Sequence, residues 1–131
     1  MGHINHSLRV LLADDSAPLC ASLASLLRKF AGVQVVGQIQ DGTEVVERVR
    51  ELKPHVLVTD LRMTNLTGIE VLKRLRQEDL HPIVIVFTSH MEDEYADACK
   101  ALGASYFFTK PQYEKVIDTI KQLQRDAFPP R

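Results

Sequence analysis

The chain has 131 residues, which suits one ordinary domain. Apolar residues make up 45% and charged residues 25%, and the net charge of −1 gives no reason to expect nucleic acid or an anionic membrane as a partner. No apolar run reaches the roughly 20 residues that span a membrane, and Cys20 and Cys99 are too few for a disulfide framework. We therefore predict a cytoplasmic domain over residues 8–124, with both thiols buried, a flexible lead-in over 1–7 and a tail over 125–131.

Five short apolar runs, rich in β-branched residues, predict strands at Leu8–Ala13, Val33–Val36, His55–Asp60, Ile83–Phe87 and Ala104–Thr109. A segment with helical spacing follows each run. The first four helices are predicted to begin at the polar caps Ser16, Asp41, Thr67 and Ser89. The predicted helix stops are Gly32, Pro54 and Gly103. In the fourth helix the inward-facing residues are predicted to be Tyr95, Ala98, Cys99 and Leu102. Alternating strands and helices predict an α/β fold, a doubly wound five-stranded parallel sheet in the flavodoxin-like order 2-1-3-4-5.

Polar side chains stand where four of these strands end. Asp14 and Asp15 follow the first strand, Asp60 the third, Thr88 the fourth and Lys110 the fifth. In the predicted order these ends line one crevice, where open α/β sheets place their ligands. Three carboxylates repel one another unless a cation joins them, and hard oxygen ligands suit Mg²⁺. The pattern predicts a Mg²⁺-dependent phosphorylation site built on Asp60.

The same residues resemble those of a response-regulator receiver domain of two-component signal transduction systems, a likeness that covers Leu8 to Gln124. The matching positions are Asp14-Asp15, Asp60, Met63, Gly68, Thr88 and Lys110-Pro111. The resemblance implies that Asp60 accepts a phosphoryl group from a histidine kinase or a phosphotransfer protein, and that Thr88 and Lys110 contact that group. It also implies that Asp15, Asp60 and the backbone carbonyl of Arg62 ligate Mg²⁺ directly, with Asp14 acting through water.

The resemblance further implies a switch made of Thr88 and Phe107, which would reshape a face formed by the fourth helix, fifth strand and fifth helix. A downstream protein would bind that face, without direct contact to nucleic acid or membrane, and the chain would be a monomer or a phosphorylation-dependent dimer. Arg62 and His90 match positions that set the phosphoryl lifetime, and Lys110-Pro111 matches a peptide bond that is often cis. The only catalysis implied is self-catalysed phosphorylation and dephosphorylation of Asp60.

Three positions depart from the family pattern. Thr64 stands where a proline usually follows the methionine, Ser89 replaces a frequent alanine, and Gln112 replaces a frequent phenylalanine. Three alternatives also remain at this point: an aspartate-dependent phosphatase or phosphotransferase of the haloacid dehalogenase type, a flavodoxin, and a pure interaction module. The first normally carries two aspartates one residue apart after its first strand, whereas Asp14 and Asp15 are adjacent. In a flavodoxin this acidic pair would repel the cofactor phosphate.

Overall fold

The computed structural model describes residues 7–89 and 93–129. Its strands are β1 Leu8–Ala13, β2 Val33–Ile39, β3 Val56–Thr59, β4 Ile83–Thr88 and β5 Tyr106–Thr109. Its helices are α1 Ala17–Leu27, α2 Gly42–Leu52, α3 Gly68–Gln77, α4 Asp93–Ala101 and α5 Tyr113–Ala127, with a short 3₁₀ turn at Lys110–Gln112. The five strands form one parallel sheet in the order β2-β1-β3-β4-β5, which confirms the predicted topology. No helix in the described part of the chain is long and apolar enough to cross a membrane.

Each face of the sheet carries its own hydrophobic core. Alternation along β1 explains this, because Val10 and Leu12 pack under α1 and α5 while Leu11 packs under α2 and α3. The central strand β3 is buried on both faces, as its unbroken apolar run predicts. Cys20 and Cys99 are both buried free thiols, one in each core. The central strands are therefore fixed from both sides, and so are the positions at which their carboxyl ends emerge.

The predicted caps of the first three helices are confirmed. Ser16 Oγ accepts a hydrogen bond from the amide of Leu19, and Thr67 Oγ1 accepts one from the amide of Glu70. Asp41 caps α2 through the amide of Thr43. The box predicted at Ser89 falls on residues 90–92, which lie outside the described residues.

Several predicted boundaries were wrong. Helix α1 ends at Leu27, before Gly32, because its last turn tightens: the amides of Lys29 and Phe30 donate to carbonyls three residues back. Strand β2 continues to Ile39 because a register shift in its pairing with β1 accommodates the chain around Gly37. Strand β5 starts at Tyr106 rather than at residue 104. Helix α5 runs through Ala127, into the predicted tail, because the residue after it, Phe128, packs on the α1–α5 core.

One side-chain prediction and one backbone prediction were also wrong. Tyr95 is 45% exposed rather than inward-facing, because it lies in the first turn of α4, and a phenol ring keeps its polar end in water at little cost. The prediction is confirmed for Cys99, which is buried, and for Leu102, which is partly buried against the same core. The described residues contain no cis peptide bond, so Lys110-Pro111 is trans. Pro111 lies in the first turn of the 3₁₀ segment, where its missing amide hydrogen costs no hydrogen bond.

Candidate phosphorylation site

The acidic cluster follows from the pairing of β1 with β3. Ala13 and Thr59 are partners in register, so Asp14 and Asp60 leave the sheet side by side. The Asp60 amide donates to the Ala13 carbonyl at 3.0 Å, which extends that pairing by one residue. Asp14 and Asp60 are only 5% and 4% exposed, whereas Asp15 is exposed. One carboxylate oxygen from each of the three lies within 4.8 Å of the others, which confirms the predicted convergence.

Lys110 closes the cluster from the opposite side. Its ammonium lies 2.9 Å from Asp14 Oδ2 and 2.9 Å from Asp60 Oδ2. The lysine is held by the turn it begins, since Gln112 Oε1 accepts hydrogen bonds from both the amide and the hydroxyl of Thr109. Gln112, the departure from the frequent phenylalanine, therefore serves as a cap for the segment that carries Lys110.

Backbone amides hold the remaining carboxylate oxygens. Asp60 Oδ1 accepts from the amides of Leu61 at 2.7 Å and Arg62 at 3.3 Å, and Asp14 Oδ1 accepts from the Ser16 amide at 2.9 Å. The two buried carboxylates are therefore bound in the same way: Oδ1 accepts hydrogen bonds from backbone amides, and Oδ2 pairs with the Lys110 ammonium. Gly68 allows the loop after Asp60 to close, since a Cβ there would lie 2.4 Å from the Asp60 carbonyl oxygen.

The electrostatics favour a further cation. Burial raises the pKa of Asp14 and the nearby Asp60 charge adds to this, although the hydrogen bonds from Ser16 and Lys110 act in the opposite direction. Burial by itself lowers the pKa of Lys110, but its hydrogen bonds and charge attraction to Asp60 and Asp14 outweigh burial, so this pKa is raised. Lys110 is therefore charged at neutral pH. One ammonium faces three carboxyl groups, so a further cation would balance the cluster.

The donor set fits Mg²⁺. All donors are hard carboxylate oxygens, and Asp15 leaves one side of the cluster open to water, which Mg²⁺ keeps in its coordination shell. One carboxylate oxygen from each acid lies within 4.8 Å of the others, so one such ion could be held among them.

Thr88 and Phe107 lie on the neighbouring strands β4 and β5. Thr88 is 3% exposed at the carboxyl end of β4 and pairs with Thr109, directly before Lys110. Phe107 is half-buried on β5, and the ammonium of Lys100 lies 5.6 Å from the centre of its ring. Arg62 is exposed, and His90 lies outside the described residues.

The sequence did not reveal three features of the site. These are the amides that bind Asp60 Oδ1, the contact of Lys110 with Asp14 as well as Asp60, and an anchor on the Asp60 loop formed by Asp41 and Asn65. The first two depend on the loop path, which side-chain patterns do not encode. Asn65 did carry a usable signal, because asparagine in a loop tolerates the left-handed conformation that it adopts here, with φ 68°.

Comparison with known proteins agrees with this geometry. A family model described as "Response regulator receiver domain" matches residues 10–121. The crystal structure of the response regulator domain of Thermotoga maritima CheB is 32% identical, with a TM-score of 0.81, over 95% of this chain and 98% of that one. The chain belongs to the response-regulator receiver domain family. This match gives no support to the dehalogenase-type alternative.

The similar curated proteins are longer than this chain. A protein-glutamate methylesterase/protein-glutamine glutaminase of Thermotoga maritima is 40% identical over 88% of this chain and 34% of its own length. The transcriptional regulatory protein LiaR of Bacillus subtilis is 34% identical over 90% of this chain and 56% of its own length. The chain thus spans about a third to a half of these relatives.

Proposed function

We propose that Asp60 accepts a phosphoryl group from a phosphohistidine on a histidine kinase or phosphotransfer protein, in a Mg²⁺-dependent reaction that switches a partner-binding face. One observation carries this proposal. The Asp60 carboxylate is buried and doubly held, by backbone amides at Oδ1 and by Lys110 at Oδ2, within 4.8 Å of the other two acids. A carboxylate positioned this firmly among charges of both signs suits phosphoryl transfer, in which positioning and electrostatics supply the catalysis.

In the transfer, a carboxylate oxygen of Asp60 forms a bond to phosphorus as the bond from phosphorus to the imidazole nitrogen breaks. The bonding electron pair leaves with the imidazole. The Leu61 and Arg62 amides keep Asp60 oriented, and Lys110 neutralises charge on the phosphoryl oxygens. Bound Mg²⁺ would supply further charge neutralisation. Asp15, Asp60 and the Arg62 carbonyl would hold the ion directly, and Asp14 would do so through water.

The product adds about −1.5 to −2 charges to this edge of the sheet. We propose that the Thr88 hydroxyl moves to a phosphoryl oxygen, that Phe107 turns inward, and that the surface formed by α4, β5 and α5 changes. That surface presents two large exposed rings, Tyr95 and Tyr113, which suit binding of a downstream protein. Arg62 and His90 would set the lifetime of the phosphoryl group. Direct nucleic-acid binding is not part of this proposal, and the oligomeric state would be a monomer or a phosphorylation-dependent dimer.

The test is phosphorylation by a small donor. Acetyl phosphate and Mg²⁺ should add one phosphoryl group to the protein, detected as a single mass increment by intact mass spectrometry. Asp60→Asn should abolish the increment, because an amide nitrogen cannot form the mixed anhydride, while Asp79→Asn at an exposed position should be labelled normally. Chelation of Mg²⁺ should suppress labelling of the wild type. Equal labelling of wild type and Asp60→Asn would refute Asp60 as the acceptor.

A further inference from the structure

The loop after Asp60 is fastened at its midpoint to the start of α2. The Gly42 amide donates to the Thr64 carbonyl at 3.0 Å, and Asp41 and Thr64 form an isolated parallel bridge outside the main sheet. Beside this bridge, Asn65 Nδ2 donates to Asp41 Oδ2 at 2.7 Å. The loop is therefore tied by backbone and side chain to the first residues of α2.

The carboxylate of Asp41 both caps α2 and binds the loop. Asp41 Oδ1 caps α2 by accepting from the amide and hydroxyl of Thr43 at 2.8 and 2.7 Å, which leaves Oδ2 for Asn65. These hydrogen bonds lower the pKa of Asp41, so it is ionised at neutral pH and each bond is charge-assisted. Packing is close here as well, since a Cβ on Gly42 would lie 2.2 Å from the Leu66 carbonyl oxygen.

The same loop carries the groups that orient the acceptor. It begins with the Leu61 and Arg62 amides that bind Asp60 Oδ1, and it contains the Arg62 carbonyl that the proposed function assigns to Mg²⁺. Its fourth residue after Asp60 is Thr64, where the family pattern has a proline, so this chain lacks that source of backbone stiffness. Asp41 contacts the loop at Thr64, through the backbone bridge, and at Asn65, through the side-chain hydrogen bond.

We infer that Asp41 and Asn65 are positioning residues of the phosphorylation site: their hydrogen bond replaces the missing proline and holds the Asp60 loop in the shape that presents its amides and carbonyl. Neither residue contacts the acidic cluster in this scheme, and both act through the backbone. The inference rests on the proposed function for its consequence in Mg²⁺ binding. Its structural part, the ordering of the loop, can be tested without metal or phosphoryl donor.

Two variants remove the bond from opposite sides. Asn65→Gly deletes the amide and tolerates the left-handed backbone, and Asp41→Ser keeps an N-cap oxygen while it removes Oδ2. Lys53→Gly is the matched control, because Lys53 is also an exposed residue with positive φ, at the opposite end of the domain before β3. The double variant of Asp41 and Asn65 tests whether the two act as one unit.

In metal-free protein, hydrogen exchange of the Leu61 and Arg62 amides should accelerate by about tenfold in both variants, while amides inside α2 stay protected. Mg²⁺ affinity should weaken by roughly tenfold, as for other residues that orient a metal ligand, and the double variant should be no worse than the single ones. Lys53→Gly should change neither quantity.

Wild-type exchange rates at Leu61 and Arg62 in both single variants would overturn the inference. So would fully additive losses in the double variant, since additive losses mean that the two residues act separately. Failure of the proposed function looks different: the wild type itself would then bind no Mg²⁺ and take no phosphoryl group, while the exchange measurement would still report on the anchor.

Discussion

At the scale of single residues, the site is a set of buried charged groups whose ion pairs and hydrogen bonds do not fully offset the cost of burial. Asp14 and Asp60 share the ammonium of Lys110, and each also accepts backbone amides. For Asp14 this is insufficient, because burial, with Asp60 nearby, leaves its pKa raised. The charged Asp14 carboxylate therefore destabilises the fold, as is common for groups that a functional site requires.

This cost predicts that Asp14→Asn stabilises the protein at neutral pH. Because the pKa of Asp14 is raised on folding, stability falls as pH rises from the ordinary value near 3.8 through the raised one, and the full cost remains at higher pH. An asparagine carries no charge and its oxygen can still accept from the Ser16 amide. The free energy of unfolding at pH 7 should rise by about 0.5–2 kcal/mol, measured by urea denaturation.

The pH dependence separates this effect from a change in packing. Well below pH 3.8 Asp14 is protonated in both folded and unfolded chains, so the advantage of the variant should disappear there. Asp15→Asn is the control, because Asp15 is exposed on the same loop and its replacement should change stability by less than about 0.5 kcal/mol. A stabilisation that persists unchanged in acid would contradict the electrostatic explanation.

Which residues form the site could be predicted from sequence, and how they are bonded could not. Asp14, Asp60 and Lys110 are identified by one fact, that each directly follows a strand of the sheet, and parallel strands bring such residues to one edge. The hydrogen bonds at Asp60 Oδ1 and the Asp41–Asn65 anchor depend on backbone angles in a loop. Loop angles follow from tertiary closure, for example around Gly68, and not from local side-chain periodicity.

At the scale of elements, the strand order was predictable because alternation and burial are strong signals, whereas element ends were not. Strand β2 continues past a glycine through a register shift, and α5 continues because Phe128 finds a hydrophobic surface. Tyr95 fits the helical spacing of Cys99 but lies a turn earlier, beyond the buried part of α4. Periodicity indicates which side of a helix can face inward, and packing decides how far along it the core extends.

One contact between elements bears on the proposed switch. Lys100 on α4 lies over the ring of Phe107 on β5, with 5.6 Å from the ammonium to the ring centre. A cation over an aromatic face contributes about 0.5–1 kcal/mol at exposed sites. If Phe107 turns inward on phosphorylation, it leaves this cation, so the contact favours the arrangement without a phosphoryl group.

Lys100→Met is therefore expected to tighten binding of beryllofluoride, a phosphoryl mimic, by about two- to fivefold, the factor that corresponds to 0.5–1 kcal/mol. The measurement is titration of metal-loaded protein with beryllofluoride, followed by NMR signals of β5. Lys115→Met on α5 removes the same charge from an exposed position and serves as the control. Equal affinities of the two variants would show that general charge, and not the ring contact, sets the balance.

At the scale of the whole molecule, the site belongs to the fold as much as to its residues. Two cores clamp β1 and β3 from opposite faces, and the acids emerge where these strands end. Acids from two strands and a lysine that follows a third meet only in the folded chain, so the unfolded chain has no such cluster. A cation that binds the cluster binds the native state alone and must raise global stability.

Mg²⁺ at ten times its dissociation constant should stabilise the fold by about 1.4 kcal/mol, which raises Tm by roughly 4–8 °C for a chain of this size. Thermal unfolding followed by circular dichroism, with and without chelator, measures the shift. Asp15→Asn should remove most of it while leaving the metal-free Tm nearly unchanged, because Asp15 is exposed and takes no part in the core. The same rise in Asp15→Asn as in the wild type would place the stabilising ion elsewhere. No rise in the wild type at any Mg²⁺ concentration would mean that Lys110 already satisfies the cluster and that the cation site is not used.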